Sequence, residues 1–197
     1  MQTRILAFLA IFLLLAGCKP FTAAERVIIY GASSVMPVMV MPQDSTVLRK
    51  ISRDVERQAL HSPELRTLLD KMLSTVTDPS QDGVGIAAPQ VGINRRIVLV
   101  QRLDKADEPF EAYVNVRLDS LYGAPVSGRE GCLSVPGLRG TVTRYANVVV
   151  SYVDLQTGER RSEEVEGYTA RIFQHECDHL DGILYTDRAD SLYTVAE

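Results

Sequence analysis

His175-Glu176-Cys177-Asp178-His179 sets two imidazoles four residues apart. On a helix that step turns the chain by about 400° and raises it by about 6 Å, so both rings can reach one metal ion. The flanks support a helix: over residues 167–181 the apolar positions Ile172, Phe173 and Leu180 recur at helical spacing, and Gly182 stops the run. Glu176 lies about 100° around from His175, beside the metal position without occupying it, where its carboxylate can accept a proton from water. Cys177 lies about 200° around and reads as a small core residue. The alternative is a histidine pair on an amphipathic helix with no metal, and a third ligand separates the two readings.

A catalytic metal site needs that third protein ligand and one position left for water. Only 18 residues follow His179 and none is a histidine. Asp181 is too near, and Asp187, Asp190 and Glu197 lack helical context, so the ligand is expected upstream. The three cysteines, Cys18, Cys132 and Cys177, are an odd and thinly spread set that favours metal ligation or lipid attachment over a disulfide framework. His61 precedes a helix start and carries no signal of its own.

Outward from the histidine helix the pattern is mixed. Ser62-Pro63-Glu64 supplies an N-cap, a proline at the first helical position and a carboxylate at the positive end of the dipole. Leu65, Leu68, Leu69, Met72, Leu73 and Val76 then predict one apolar stripe. Residues 78–92 are rich in glycine and small residues and predict a loop or irregular strand that something approaches closely. Residues 96–103, 111–116 and 147–154 predict strands, with a turn at Gln156-Thr157-Gly158 and a polar return strand to Glu166. A chain of 197 residues, 46% hydrophobic, suits one domain, and a net charge of -4 sets nucleic acid aside as a direct partner. The expectation is one α+β domain over residues 35–197, with antiparallel β-sheets packed around a central helix that carries the H-E-x-x-H motif.

Three segments stand in a characteristic order: Gly83-Val84-Gly85-Ile86-Ala87-Ala88-Pro89-Gln90, Glu130-Gly131-Cys132-Leu133-Ser134 and the histidine motif. Together they resemble the three signature motifs of peptide deformylases, and the likeness runs from Met41-Pro42 to Leu180-Asp181-Gly182. Residue by residue, the resemblance implies Cys132, His175 and His179 as metal ligands, with iron(II) as the metal and zinc or nickel able to replace it. A thiolate with two imidazoles suits such ions by ligand type. The resemblance also implies the activity: removal of the formyl group from N-terminal formylmethionine of peptides or newly made proteins, with Glu176 as proton shuttle. The side-chain amide of Gln90 and the backbone N–H of Leu133 would stabilise the oxyanion. Val84, Tyr168 and Ile172 would line the slot for the methionine side chain, and Gly85 would let substrate backbone come close. Arg171 stands either at the pocket mouth or as a solvated helix charge. A zinc peptidase on the same helix motif, and a non-catalytic lipoprotein that keeps the fold, stay open as alternatives.

The N-terminus reads differently. Arg4, the apolar run from Ile5 to Leu15, and the small residues Ala16 and Gly17 have the charged start and small-residue end of an export signal. Leu15-Ala16-Gly17-Cys18 resembles the bacterial lipobox, which implies cleavage before Cys18 and lipid chains on that residue. Residues 1–17 are then a signal peptide and residues 18–34 a tether. The expected address is the cell envelope with the membrane as partner, or the cytoplasm if the signal is unused. Residues 187–197 lack the basic helix with which cytosolic deformylases dock on the ribosome, in keeping with an exported protein.

Overall fold

The computed structural model describes residues 21–195 apart from residue 82; the expected signal peptide and Cys18 lie outside the described residues. Five strands pair antiparallel in chain order: β1 (Gly85–Ala87), β2 (Ile97–Gln101), β3 (Phe110–Cys132), β4 (Val135–Val153) and β5 (Arg160–Glu166). A sixth, β6 (Ser191–Thr194), pairs with the first part of β4. The α-helices among the described residues are α1 (Ala23–Ile29), α2 (Ser45–Leu48), α3 (Pro63–Val76) and α4 (Gly167–Leu180). This is the α+β arrangement expected, except that the strands form one sheet whose register shifts along β3 and β4 bend it around α4.

Alternation shows how β2 is covered on both faces. Ile97 and Leu99 point to one side, into a core with Leu65, Leu68 and Met72 of α3, while Val98 and Val100 point to the other, against Phe173 and Cys177 of α4. A strand covered on both faces must be apolar throughout, as this one is. Each fully buried Val, Leu or Ile contributes about 1.5–3 kcal/mol, so this layering fixes α4 against the sheet.

The α3 helix starts as predicted, with the Ser62 hydroxyl accepting from Leu65 N at 3.2 Å. Leu73, expected in its stripe, is instead 39% exposed, because it sits about 80° around the helix from Leu65 and falls at the stripe's edge. The turn between β4 and β5 also matches: Asp154 accepts from the N–H groups of Gln156 and Thr157, and Gly158 takes φ 72°.

Two segments differ from expectation. Residues 117–146 had no predicted strand, yet β3 and β4 run through them as one long hairpin; residues 119–127 are exposed on both faces, which removes the alternating pattern that marks a strand. Residues from Phe21 onward, expected as tether, form α1 and its leader. Thr22 and Glu25 cap the helix reciprocally, and Phe21 and Ile29 are buried in the α3 core.

Candidate active site and metal centre

The α4 helix is buried on nearly every side, so its polar residues must find partners inside the protein. His175 and His179 lie one turn apart with ring centroids 5.1 Å from each other. The end of β3 brings up Cys132, whose Sγ stands 3.2 Å from Nε2 of His179. The ligand atoms of Cys132, His175 and His179 all lie within 4.8 Å of one another. One thiol and two imidazoles converging in this way suit a transition metal, with a position left over for water or substrate. Burial pushes the Cys132 thiol up, but the facing His179 and His175 rings reverse this and hold it well below the ordinary thiol range.

Beside this triad is a cavity of about 460 Å³ between β1, the start of β4 and α4. Cys132, His175, Gln90, Leu133 and Glu176 line it together with Val84, Gly85, Ile172 and Tyr168. His179 lies deeper, 1% exposed. Tyr168 is 55% exposed, at the rim.

Gln90 has its orientation set by the backbone. Its Oε1 accepts from Ala87 N at 2.9 Å, which turns the amide nitrogen toward Ser134 Oγ at 3.3 Å and Cys132 Sγ at 3.5 Å. Glu176 is 4% exposed, and its Oε2 has no protein partner among the described residues. Burial raises its pKa to about 7, against the opposing pull of the two histidines.

The family model for polypeptide deformylase matches residues 35–194. The chain belongs to the polypeptide deformylase family. A peptide deformylase of Symbiobacterium thermophilum is 42% identical over 158 residues, covering 80% of this chain and 69% of that protein. Among solved structures, an actinonin-bound class I type b peptide deformylase from Acinetobacter baumannii matches with a TM-score of 0.71 at 40% identity, over 80% of this chain and 100% of that one. A Met-Ala-Ser-bound structure of the A. baumannii enzyme matches with a TM-score of 0.69 at 39% identity, over 78% and 98%.

Within this deformylase fold the sequence reading gave no role to Glu130, which organises the site. Its carboxylate takes Nδ1 of His175 at 2.9 Å, both ends of Arg144 at 2.9 Å, and Arg171 at 2.8 Å. Burial opposes its ionisation, but these partners hold it well below the usual carboxylate range. Engaging Nδ1 of His175 leaves Nε2 for a metal. Asp178 extends the network, accepting from Arg144 at 2.5 Å and Arg188 at 2.7 Å. Tyr185 stacks on His175 at 6.0 Å with the rings 21° apart. The only hint in the sequence was the presence of carboxylates inside the Cys132 motif and between the two histidines.

The structure narrows one expectation and adds to another. Arg171 is not a solvated charge: it is 8% exposed and also donates to the carbonyl oxygens of Val142 and Val126. Gly85 lines the cavity, yet its own need for glycine comes from the protein, because a Cβ there would fall 2.6 Å from Oε1 of Glu176.

Proposed function

We infer that this chain is a metal-dependent hydrolase that removes the N-formyl group from formylmethionyl N-termini and releases formate. The observation that carries the reading is the joint placement of the Cys132, His175 and His179 donors, the Glu176 carboxylate and the Gln90 amide around one cavity. Actinonin and a Met-Ala-Ser peptide are held by solved members of the family, in keeping with a peptide substrate.

Cys132, His175 and His179 would hold the metal, for which we propose iron(II), with zinc or nickel able to substitute. When bound, the metal supplies a Lewis acid for the formyl oxygen and makes water more acidic. Glu176 supplies the proton traffic. Buried beside the three donors with its Oε2 unpartnered among the described residues, the Glu176 carboxylate can take a proton from the attacking water and return it to the departing amine. The Gln90 amide, locked by Ala87, donates to the oxygen as it becomes negative, and the Leu133 N–H is assigned the second donor role. Val84, Ile172 and the rim residue Tyr168 would form the slot for the methionine side chain.

Formate release from formyl-Met-Ala by anaerobically prepared protein, with metal analysis, tests this. Glu176→Ala should keep its metal and lose activity, and Cys132→Ala should lose the metal. A metal-loaded preparation that released no formate from several formyl-methionyl peptides would overturn the reading. We also propose an envelope address with lipid on Cys18, supported by the apolar run and the Leu15-Ala16-Gly17-Cys18 segment. A Cys18→Ala form that fractionated with membranes as the parent does would remove that part.

A further inference from the structure

The polarity of α1 is inverted. Its two charged residues turn toward the protein: Glu25 is buried against Arg95 at 2.7 Å, and Arg26 donates to the carbonyl oxygen of Phe21 at 2.5 Å. The solvent side is Ala23, Ala24, Val27 and Ile28, continued by Tyr30. Val27 is 76% exposed and Tyr30 52%. A helix on a water-facing surface shows the opposite distribution.

The chain leading into α1 says what lies there. Phe21 is fixed in the core at 1% exposure, and Cys18 is three residues before it. Three residues span at most about 10 Å, so a lipid-bearing Cys18 leaves no slack. The family match begins at residue 35, so α1 is an addition that the shared fold does not require.

We propose that α1 seats the enzyme on the bilayer, with Val27, Ile28 and Tyr30 in the lipid interface beside the Cys18 anchor. The proposal rests on the anchor reading above and replaces a loose tether with a fixed orientation. Seven residues make a helix about 10 Å long, and it starts at Ala23, five residues and so at most about 17 Å from the anchor, which keeps it within reach of the headgroup zone. Interfacial helices bury their apolar face about 5–10 Å into this zone, and tyrosine is enriched there. Lys19, next to the anchor, suits anionic headgroups. A second copy of the chain fits less well: the outer face of so short a helix offers on the order of a few hundred Å², against about 800 Å² per partner in a stable interface.

The chain has no tryptophan, so a single one can report on this face. The full chain, purified from bacterial membranes, is placed in phosphatidylcholine and phosphatidylglycerol vesicles with and without brominated acyl chains. Val27→Trp is compared with Leu121→Trp, which lies on the exposed β3 hairpin at 43% exposure. Formate release by each variant verifies folding. The expected result is a blue shift and bromolipid quenching for Val27→Trp and neither for Leu121→Trp. Three results overturn the proposal: vesicle-bound Val27→Trp that bromolipid leaves unquenched, protein that does not float with vesicles, or a blue shift without lipid that grows with protein concentration. The anchor is judged separately by Cys18→Ala fractionation, since Val27→Trp quenching in vesicles reads α1 whatever holds the chain to the membrane.

Discussion

A Cβ at position 85 would fall 2.6 Å from Oε1 of Glu176 and 2.9 Å from Cγ2 of Ile172. The backbone of Gly85 is not left-handed, so Gly85→Ala introduces no backbone strain and its whole effect comes from those contacts. Bringing the Glu176 oxygen to an ordinary 3.4 Å contact moves it by about 0.8 Å. Misplacing a reacting group by about 1 Å costs on the order of 10²-fold in rate. We therefore expect Gly85→Ala to lose about 10²-fold in kcat for formate release from formyl-Met-Ala-Ser, with metal content unchanged. Overpacking against Ile172 should also cost about 1–3 kcal/mol of stability by urea unfolding. In a Glu176→Ala background the displaced group is absent, so adding Gly85→Ala should cost no further activity. Wild-type kcat in the single variant, or additive losses in the double one, would refute the idea that Gly85 serves the Glu176 carboxylate.

Glu130→Gln should weaken metal binding by about 10–100-fold through loss of the His175 partner, and unaltered affinity in a competition titration would contradict that. The same change takes from Arg171 its carboxylate and leaves Arg144 with Asp178 alone, and unfolding should show a loss of up to about 3–5 kcal/mol. Gln90→Leu should keep its metal and lose about 10²–10³-fold in kcat, whereas a loss confined to KM would argue against the oxyanion role. Glu25 is held at a pKa of about 2 against an ordinary 4.5: burial opposes its charge, and the bonds to Arg95 and Thr22 prevail. The folded state thus takes up this proton less readily than the unfolded chain. Ionised Glu25 contributes about 3 kcal/mol above pH ~5, and this is lost as the pH falls toward 2. Glu25→Gln should flatten the unfolding free energy across that window, and undiminished acid sensitivity would count against the pair.

The elements that could be read from the sequence are those whose information is local. Ser62-Pro63 starts α3 through its own hydroxyl and ring, and the Asp154 to Gly158 turn closes on its own backbone. The histidine helix is legible because a spacing of four residues has one meaning on a helix. Cys132, Gln90 and Leu133 were reached only through the likeness of three separated segments, since no period or local bond connects them to α4.

The unread residues share a different cause. Glu130 binds Arg144, Arg171 and His175 from 14, 41 and 45 residues away, and none of these pairings leaves a pattern along the chain. Their burial is equally hidden, because a charged residue on a helix reads as a solvated face unless its partners are known. For the same reason the sequence left Arg171 open between the pocket mouth and solvent, and gave Glu25 no role of its own within the expected tether. Each is a charge turned inward, Arg171 onto Glu130 at the cavity wall and Glu25 onto Arg95 beneath an apolar outer face. Charge turned inward on α1 leaves Val27 and Ile28 facing out, and that inversion, invisible without Arg95, is the observation on which the bilayer seating of α1 is proposed.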